Sequence, residues 1–174
     1  MTTKMNKLVL AIGAMAMTGA AMAATEAGDL TVGATVQNAC AIGPGTLAFG
    51  NLSMAVNADG TAGTTNNVDV DTGASISIIC TNGASAAITA GLGLNPAVSV
   101  RKMISGADLL AYELYTSGAR TTVLDTATGS IPYTGTGAAT TTTAIYGRIL
   151  GSNLAAAKKG TYADTVAMTI TYTP

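Results

Sequence analysis

The chain has no histidine, no tryptophan, one phenylalanine (Phe49) and two cysteines, and only 10% of its residues are charged. Without histidine, the side chain best suited to general-base work near neutral pH is missing, and so is the commonest nitrogen ligand of zinc. Serines occur, but none sits in a G-x-S-x-G turn and no base stands by to activate one. An enzyme is therefore not expected, nor any metal or other cofactor. Beyond the first residues no apolar run approaches the roughly 20 residues that a membrane-spanning helix needs, so membrane insertion is not expected either. With so few aromatics, the core must be built from small and β-branched side chains.

What is present begins with a secretion signal. Lys4 and Lys7 give a basic start, LVLAIGAMAM an apolar centre, and Ala21-Met22-Ala23 an A-x-A cleavage site. Residues 1–23 thus read as a signal peptide, and their removal leaves 151 of the 174 residues, enough for one domain. Taking Lys4 and Lys7 from the eight basic residues leaves six against nine acidic ones, a net charge of −3. That balance argues against nucleic acid or anionic lipid as a partner, since both require basic patches. Cys40 and Cys80 are the only cysteines of a chain sent to an oxidising compartment, so one disulfide is expected. Closing a loop of about 40 residues would contribute roughly 4 kcal/mol in the chain-entropy picture. There is no C-x-x-C pair to suggest a metal or redox role.

Period-2 alternation recurs along the mature chain. In GDLTVGATVQ (Gly28 to Gln37), Leu30, Val32, Ala34 and Val36 share one face. Such a segment can be the first strand of its own sheet, or it can leave to pair with another chain. TLAFGNL (Thr46 to Leu52) reads as a short strand after the Gly43-Pro44-Gly45 turn, and Met54 to Asp71 as a polar loop. ASISIIC places Ala74, Ile76, Ile78 and Cys80 on one face, which aims the Cys80 sulfur into the core. Ala86 to Leu94 is a further strand candidate. Asp108 to Thr116 alternates but also has reasonable helix propensity, and Gly106 and Ser117-Gly118 limit it to strand length. Thr134 to Thr143 reads as a Gly/Thr-rich loop leading into a strand at Ala144 to Leu150. Asp164 to Thr173 closes the chain, with Val166, Met168, Ile170 and Tyr172 on one face. Short strands, frequent turns and no convincing helix predict an all-β sandwich of about immunoglobulin-like strand number.

Few side chains offer chemistry. Asp69 and Asp71 could be read as a calcium site, but the spacing fails the EF-hand loop, and a solvated strand face is the simpler reading. Asp125 and Asp164 read as turn or cap residues, and Lys158-Lys159 as a charged loop. Tyr112, Tyr115, Tyr133, Tyr146 and Tyr162 could form a sugar platform, but packing at the core edge suits amphipathic rings better.

The signal peptide, the alternating N-terminal segment, Cys40, TLAFGNL, SISIIC and the close KKGTYADTVAMTITYTP together resemble the spore-coat-protein-U-like family. These are the pilins of archaic chaperone–usher pili, and the likeness is close to the major rod subunits of Csu-type pili. It covers the mature chain and is most specific at Gly160 to Val166. The resemblance implies an incomplete immunoglobulin-like β-sandwich that a donor strand from a neighbouring subunit completes. Residues 24–38 would be the donor-strand extension and residues 39–174 the pilin domain. Leu30, Val32, Ala34 and Val36 would fill the neighbour's groove. Val166, Met168, Ile170 and Tyr172 would line the last strand, which borders the groove and meets the chaperone.

The implied partners are further copies of the chain in a head-to-tail homopolymer, a periplasmic chaperone, an outer-membrane usher, and tip and minor pilins. The product would be an adhesive pilus on the surface of a Gram-negative bacterium, reached by secretion through the periplasm and serving biofilm formation and attachment. A tip adhesin is disfavoured because the chain has room for only one domain. The alternative is a secreted spore-coat-like structural protein that assembles without chaperone and usher.

Overall fold

In the computed structural model, residues 25–54, 57–61, 63, 68–95 and 99–174 are described, and the signal peptide assigned to residues 1–23 lies outside them. The strands follow the alternation. They are β1 (Cys40–Ile42), β2 (Val70–Cys80), β3 (Ser85–Ala90) and β4 (Arg101–Ser105). Then come β5 (Asp108–Tyr115), β6 (Ile131–Thr134), β7 (Gly137–Ile149), the helix α1 (Gly151–Ala155) and β8 (Met168–Tyr172). One sheet has the order β1-β2-β7-β5-β4 and the other β6-β3-β8, with antiparallel pairing throughout. The fold is all-β, an immunoglobulin-like sandwich of two sheets.

The core lies between the inner faces. Ile76, Ile78 and Cys80 from β2, Leu110, Tyr112 and Leu114 from β5, and Ile145 and Ile149 from β7 are buried. They meet Ala86, Ile88 and Ala90 from β3. Small residues on β3 let the sheets approach where aromatic side chains are scarce. Cys40 and Cys80 face each other directly across the β1–β2 ladder and form the disulfide, Cα to Cα 4.1 Å. The ambiguous Asp108 to Thr116 segment is a strand. It pairs with β4 on one side and β7 on the other, and those ladder bonds override its helix propensity.

Several sequence expectations need correction. TLAFGNL is not a strand: Leu47 and Phe49 pack against the core, yet residues 44–52 make no backbone–backbone hydrogen bond among the described residues. With no strand beside it to supply a ladder, alternation alone cannot make this segment a strand. The Gly/Thr-rich stretch read as a loop behaves in the opposite way, for Gly137 to Thr143 belongs to β7 and pairs with β2 (Thr141 opposite Ile78, Thr143 opposite Ile76). Threonine is stiff at χ1 and favours extended backbone, so low complexity there does not make a loop. The strand read over Ala86 to Leu94 ends at Ala90, and the closing strand covers only Met168–Tyr172. A short helix, α1, was not anticipated; its first N–H, on Gly151, donates to Asp69 Oδ1 at 3.0 Å, a cap supplied from far away in sequence.

Val36–Pro174 forms one compact unit. Of the chain ahead of it, residues 25–35 carry no helix or strand.

Candidate functional site

A groove of about 1060 Å³ opens along the inner face of the larger sheet. Its floor is apolar: Ile76 of β2, Leu110, Tyr112 and Leu114 of β5, and Ile145 of β7. One wall is the segment 44–52, which the groove leaves without ladder bonds. Leu47 and Phe49 reach inward from it and settle over Gly147, where an added Cβ would lie 2.9 Å from Leu47 Cδ2 and 3.0 Å from Phe49 Cζ. Phe49 also meets the Tyr112 ring edge-on, centroids 6.2 Å apart.

The other wall is the segment 157–168, running into β8. Its residues alternate, with Tyr162, Asp164, Val166 and Met168 half-buried and Thr161, Ala163, Thr165 and Ala167 exposed. Ala163 forms a reciprocal backbone pair with Ile104 of β4 (2.9 and 3.1 Å), and the Gly91 N–H donates to the Ala167 carbonyl at 2.8 Å. The Tyr112 hydroxyl donates to Asp164 Oδ2 at 2.7 Å. Burial, and then this hydrogen bond to Asp164, pushes the Tyr112 pKa well above the usual tyrosine range. The phenol therefore stays protonated and acts as a donor. Two extended segments flanking an apolar floor can accept a third extended segment between them, with side chains inward and backbone groups to either side.

The residues assigned from sequence are placed as follows. Val166 and Met168 line the groove; Ile170 and Tyr172 pack on the core further along β8 and are not part of the groove lining. Leu30, Val32 and Val36 are more than four-fifths exposed, and Ala34 is exposed as well. No strand forms between residues 25 and 39. At the root of this segment, the Asn38 side-chain amide donates to the Thr173 carbonyl at 2.7 Å, and the Ala39 N–H donates to Thr81 Oγ1 at 3.0 Å.

The inward wall of Leu47 and Phe49 was missed by sequence reasoning as part of a site, although its i, i+2 alternation was visible. Gly147, the seat beneath them, left no signal at all. Asp164 read as a turn residue, whereas it bridges a groove wall to the floor. Asp69 and Asp71 lie exposed, as a strand face should, but they are paired with arginines rather than gathered for a cation. Arg148 Nε donates to Asp71 Oδ1 at 2.7 Å, Arg148 lies 3.4 Å from Asp69, and Arg120 lies 3.2 Å from Asp71. The Arg148 hydrogen bond holds the Asp71 carboxyl below its usual range. No group of three potential metal-ligating side chains occurs among the described residues. Asp125 is a turn residue as read, accepting from the backbone of Ala127 and Thr128 and from the Thr128 hydroxyl. Lys158 pairs with Asp108 at 2.7 Å.

The profile of the Spore Coat Protein U domain matches residues 26–169. "Protein U" of Myxococcus xanthus is 34% identical over 166 residues, covering 87% of this chain and 88% of that protein. A solved complex, the CsuC–CsuE chaperone–tip adhesion subunit pre-assembly complex from archaic chaperone–usher Csu pili of Acinetobacter baumannii, matches with a TM-score of 0.47 and 18% identity. That match covers 78% of this chain, which spans 40% of the solved chain.

Proposed function

We propose that this chain, which belongs to the Spore Coat Protein U domain family, is a structural subunit of an archaic chaperone–usher pilus that polymerises by donor-strand complementation. The observation that carries this reading is the apolar groove between residues 44–52 and 157–168. The chain also carries an alternating segment of matching length. If extended, Thr46 to Leu52 spans about 20 Å, and Leu30 to Val36 spans about 20 Å as well. Leu30, Val32, Ala34 and Val36 of one subunit enter the groove of the next, and Val166 and Met168 border them. Burying Leu30, Val32 and Val36 contributes about 5–8 kcal/mol at the usual value per side chain. Ladder bonds to the unpaired wall add to it.

The contact is head-to-tail and does not close, so it generates a filament. Before assembly a periplasmic chaperone occupies the groove, and exchange takes place at an outer-membrane usher. In this reading the chain is the major rod subunit of an adhesive pilus at the cell surface, capped by tip and minor pilins and serving attachment and biofilm formation. No catalytic step is part of it.

The test compares surface-sheared protein, unheated and boiled, from the intact chain and from one lacking Asp29 to Gln37. A ladder in the unheated lane that collapses on boiling and is absent in the deletion supports the reading. A ladder that survives the deletion refutes the donor assignment. A second reading, a secreted coat protein assembling without chaperone and usher, is suggested by the name of the Spore Coat Protein U domain family. Under that reading the chain assembles at wild-type level in a cell lacking both chaperone and usher.

A further inference from the structure

Asp164 breaks the pattern of its own segment. The inward positions of the wall are Tyr162, Asp164, Val166 and Met168, and Asp164 is the single carboxylate among them. A wall presenting only apolar groups would settle onto the apolar floor, because burying both surfaces is favourable. A carboxylate cannot enter such a contact without hydrogen-bond donors. Asp164 has donors, and they tie it to two distant elements. The Tyr112 hydroxyl from the groove floor donates to Oδ2 at 2.7 Å, and the Leu94 N–H from the connection after β3 donates to Oδ1 at 2.9 Å. The neighbouring Thr165 N–H also donates to Oδ1, at 2.8 Å. Gly93 leaves room for this arrangement: it has a φ of +83°, and a Cβ there would collide with Oδ2 and lie 2.8 Å from the carboxyl carbon.

We propose that Asp164 is a positioning residue that fixes the 162–168 wall at a set distance from the groove floor, through Tyr112 and Leu94, and so keeps the groove set to receive a strand. The inference rests on the reading of the groove as a strand acceptor. Replacing the carboxylate by an apolar side chain restores an unbroken apolar stripe, which lets the wall close while leaving the sandwich folded.

The experiment uses the full chain, secreted with its chaperone and usher, as wild type and as Asp164→Asn, Asp164→Leu and Tyr112→Phe. Two quantities are read: the unheated ladder, and the amount of disulfide-bonded, protease-resistant subunit. Asp164→Asn, which keeps an acceptor and the shape, retains the ladder. Tyr112→Phe lowers it about tenfold, the size expected for losing one hydrogen bond to a charged group, and Asp164→Leu, which loses all three bonds, lowers it at least as much, while the folded subunit stays at wild-type level. An undiminished ladder in Tyr112→Phe and Asp164→Leu overturns the proposal. So does a parallel fall of ladder and folded subunit in Tyr112→Phe, since that reports a structural role alone. Should Asp164→Leu be degraded, Tyr112→Phe decides by itself. A wild-type chain that yields no ladder defeats the polymerisation reading itself, and the proposal falls with it.

Discussion

The Arg101 guanidinium lies 3.5 Å from the Glu113 carboxylate, with the arginine side chain wholly buried and the glutamate 21% exposed. Arg101 also donates to the carbonyls of Gly91 (2.8 Å), Ala90 (3.1 Å) and Leu124 (2.7 Å), so one cation ties two backbone segments together at the end of the core. Arg101→Met removes the donors and leaves an uncompensated carboxylate and three carbonyls. It should cost about 3–5 kcal/mol, read as a fall in the urea midpoint. Burial already raises the Glu113 pKa. A carboxylate with a raised folded pKa loses stability as pH rises through the carboxylate range. In Arg101→Met that loss should grow, making the variant less stable at pH 7 than at pH 4 by more than the wild type. A midpoint within experimental error of wild type would show that the arginine is dispensable.

The proposed donor face gives a paired test. Val32→Asp places a carboxylate on the apolar face, where no partner awaits it, and should abolish the unheated ladder. Thr31→Asp places the same charge on the opposite face and should leave the ladder in place. Equal loss from both substitutions would mean that the register is not the one given by Leu30, Val32, Ala34 and Val36.

Gly93 and Gly106 separate backbone strain from collision. Both have positive φ, +83° and +61°, but only Gly93 has a neighbour, Asp164, where a Cβ would go. Gly106→Ala should cost about 1 kcal/mol from the left-handed backbone alone. Gly93→Ala should cost roughly 1–3 kcal/mol more, since Asp164 must move and its hydrogen bonds break. Denaturation of the two variants side by side measures the difference; equal losses would remove Asp164 from the account.

Acid sensitivity should arise in part at Asp125. The Thr128 backbone N–H, assisted by the Thr128 hydroxyl and the Ala127 and Gly129 N–H groups, holds its pKa down to about 2. A carboxylate with a lowered folded pKa contributes stability that is present above its unfolded pKa of about 3.9 and is lost as pH falls toward 2. The turn it closes follows the buried Leu124, so loosening it should be felt in the core. Melting temperatures of the wild type and Asp125→Asn should converge between pH 4 and pH 2, because the variant has no carboxylate to protonate there. Parallel curves over that range would exclude Asp125 as a source of the acid loss.

Much of the fold could be read directly. Alternation in ASISIIC placed Ile76, Ile78 and Cys80 inside, and all three are buried. Two cysteines in a chain whose sequence reads as secreted implied the bond that Cys40 and Cys80 make. The sequence was less informative where a residue depends on neighbours distant along the chain. Thr46 to Leu52 alternates as a strand does but makes no ladder bond among the described residues, while the threonines at 141–143, in a stretch that looked like a loop, help complete the longest ladder with β2. Pairing partners decide both cases, and a local pattern does not name them.

The candidate site divides along the same line. Sequence alone determined which faces are apolar, because side-chain direction along extended backbone has a period of two and needs no partner to be defined. The alternation of Val166, Met168, Ile170 and Tyr172 was therefore legible, as was that of Leu30, Val32, Ala34 and Val36. Only the tertiary structure decided that, of these four core-packed side chains, Val166 and Met168 also border an open groove while Ile170 and Tyr172 do not. It also decided that Leu47 and Phe49 rest on Gly147, and that Asp164 reaches Tyr112 and Leu94. These are contacts between residues up to about a hundred positions apart, set by how two sheets and their connections pack, and hydrophobic periodicity carries no information about that packing.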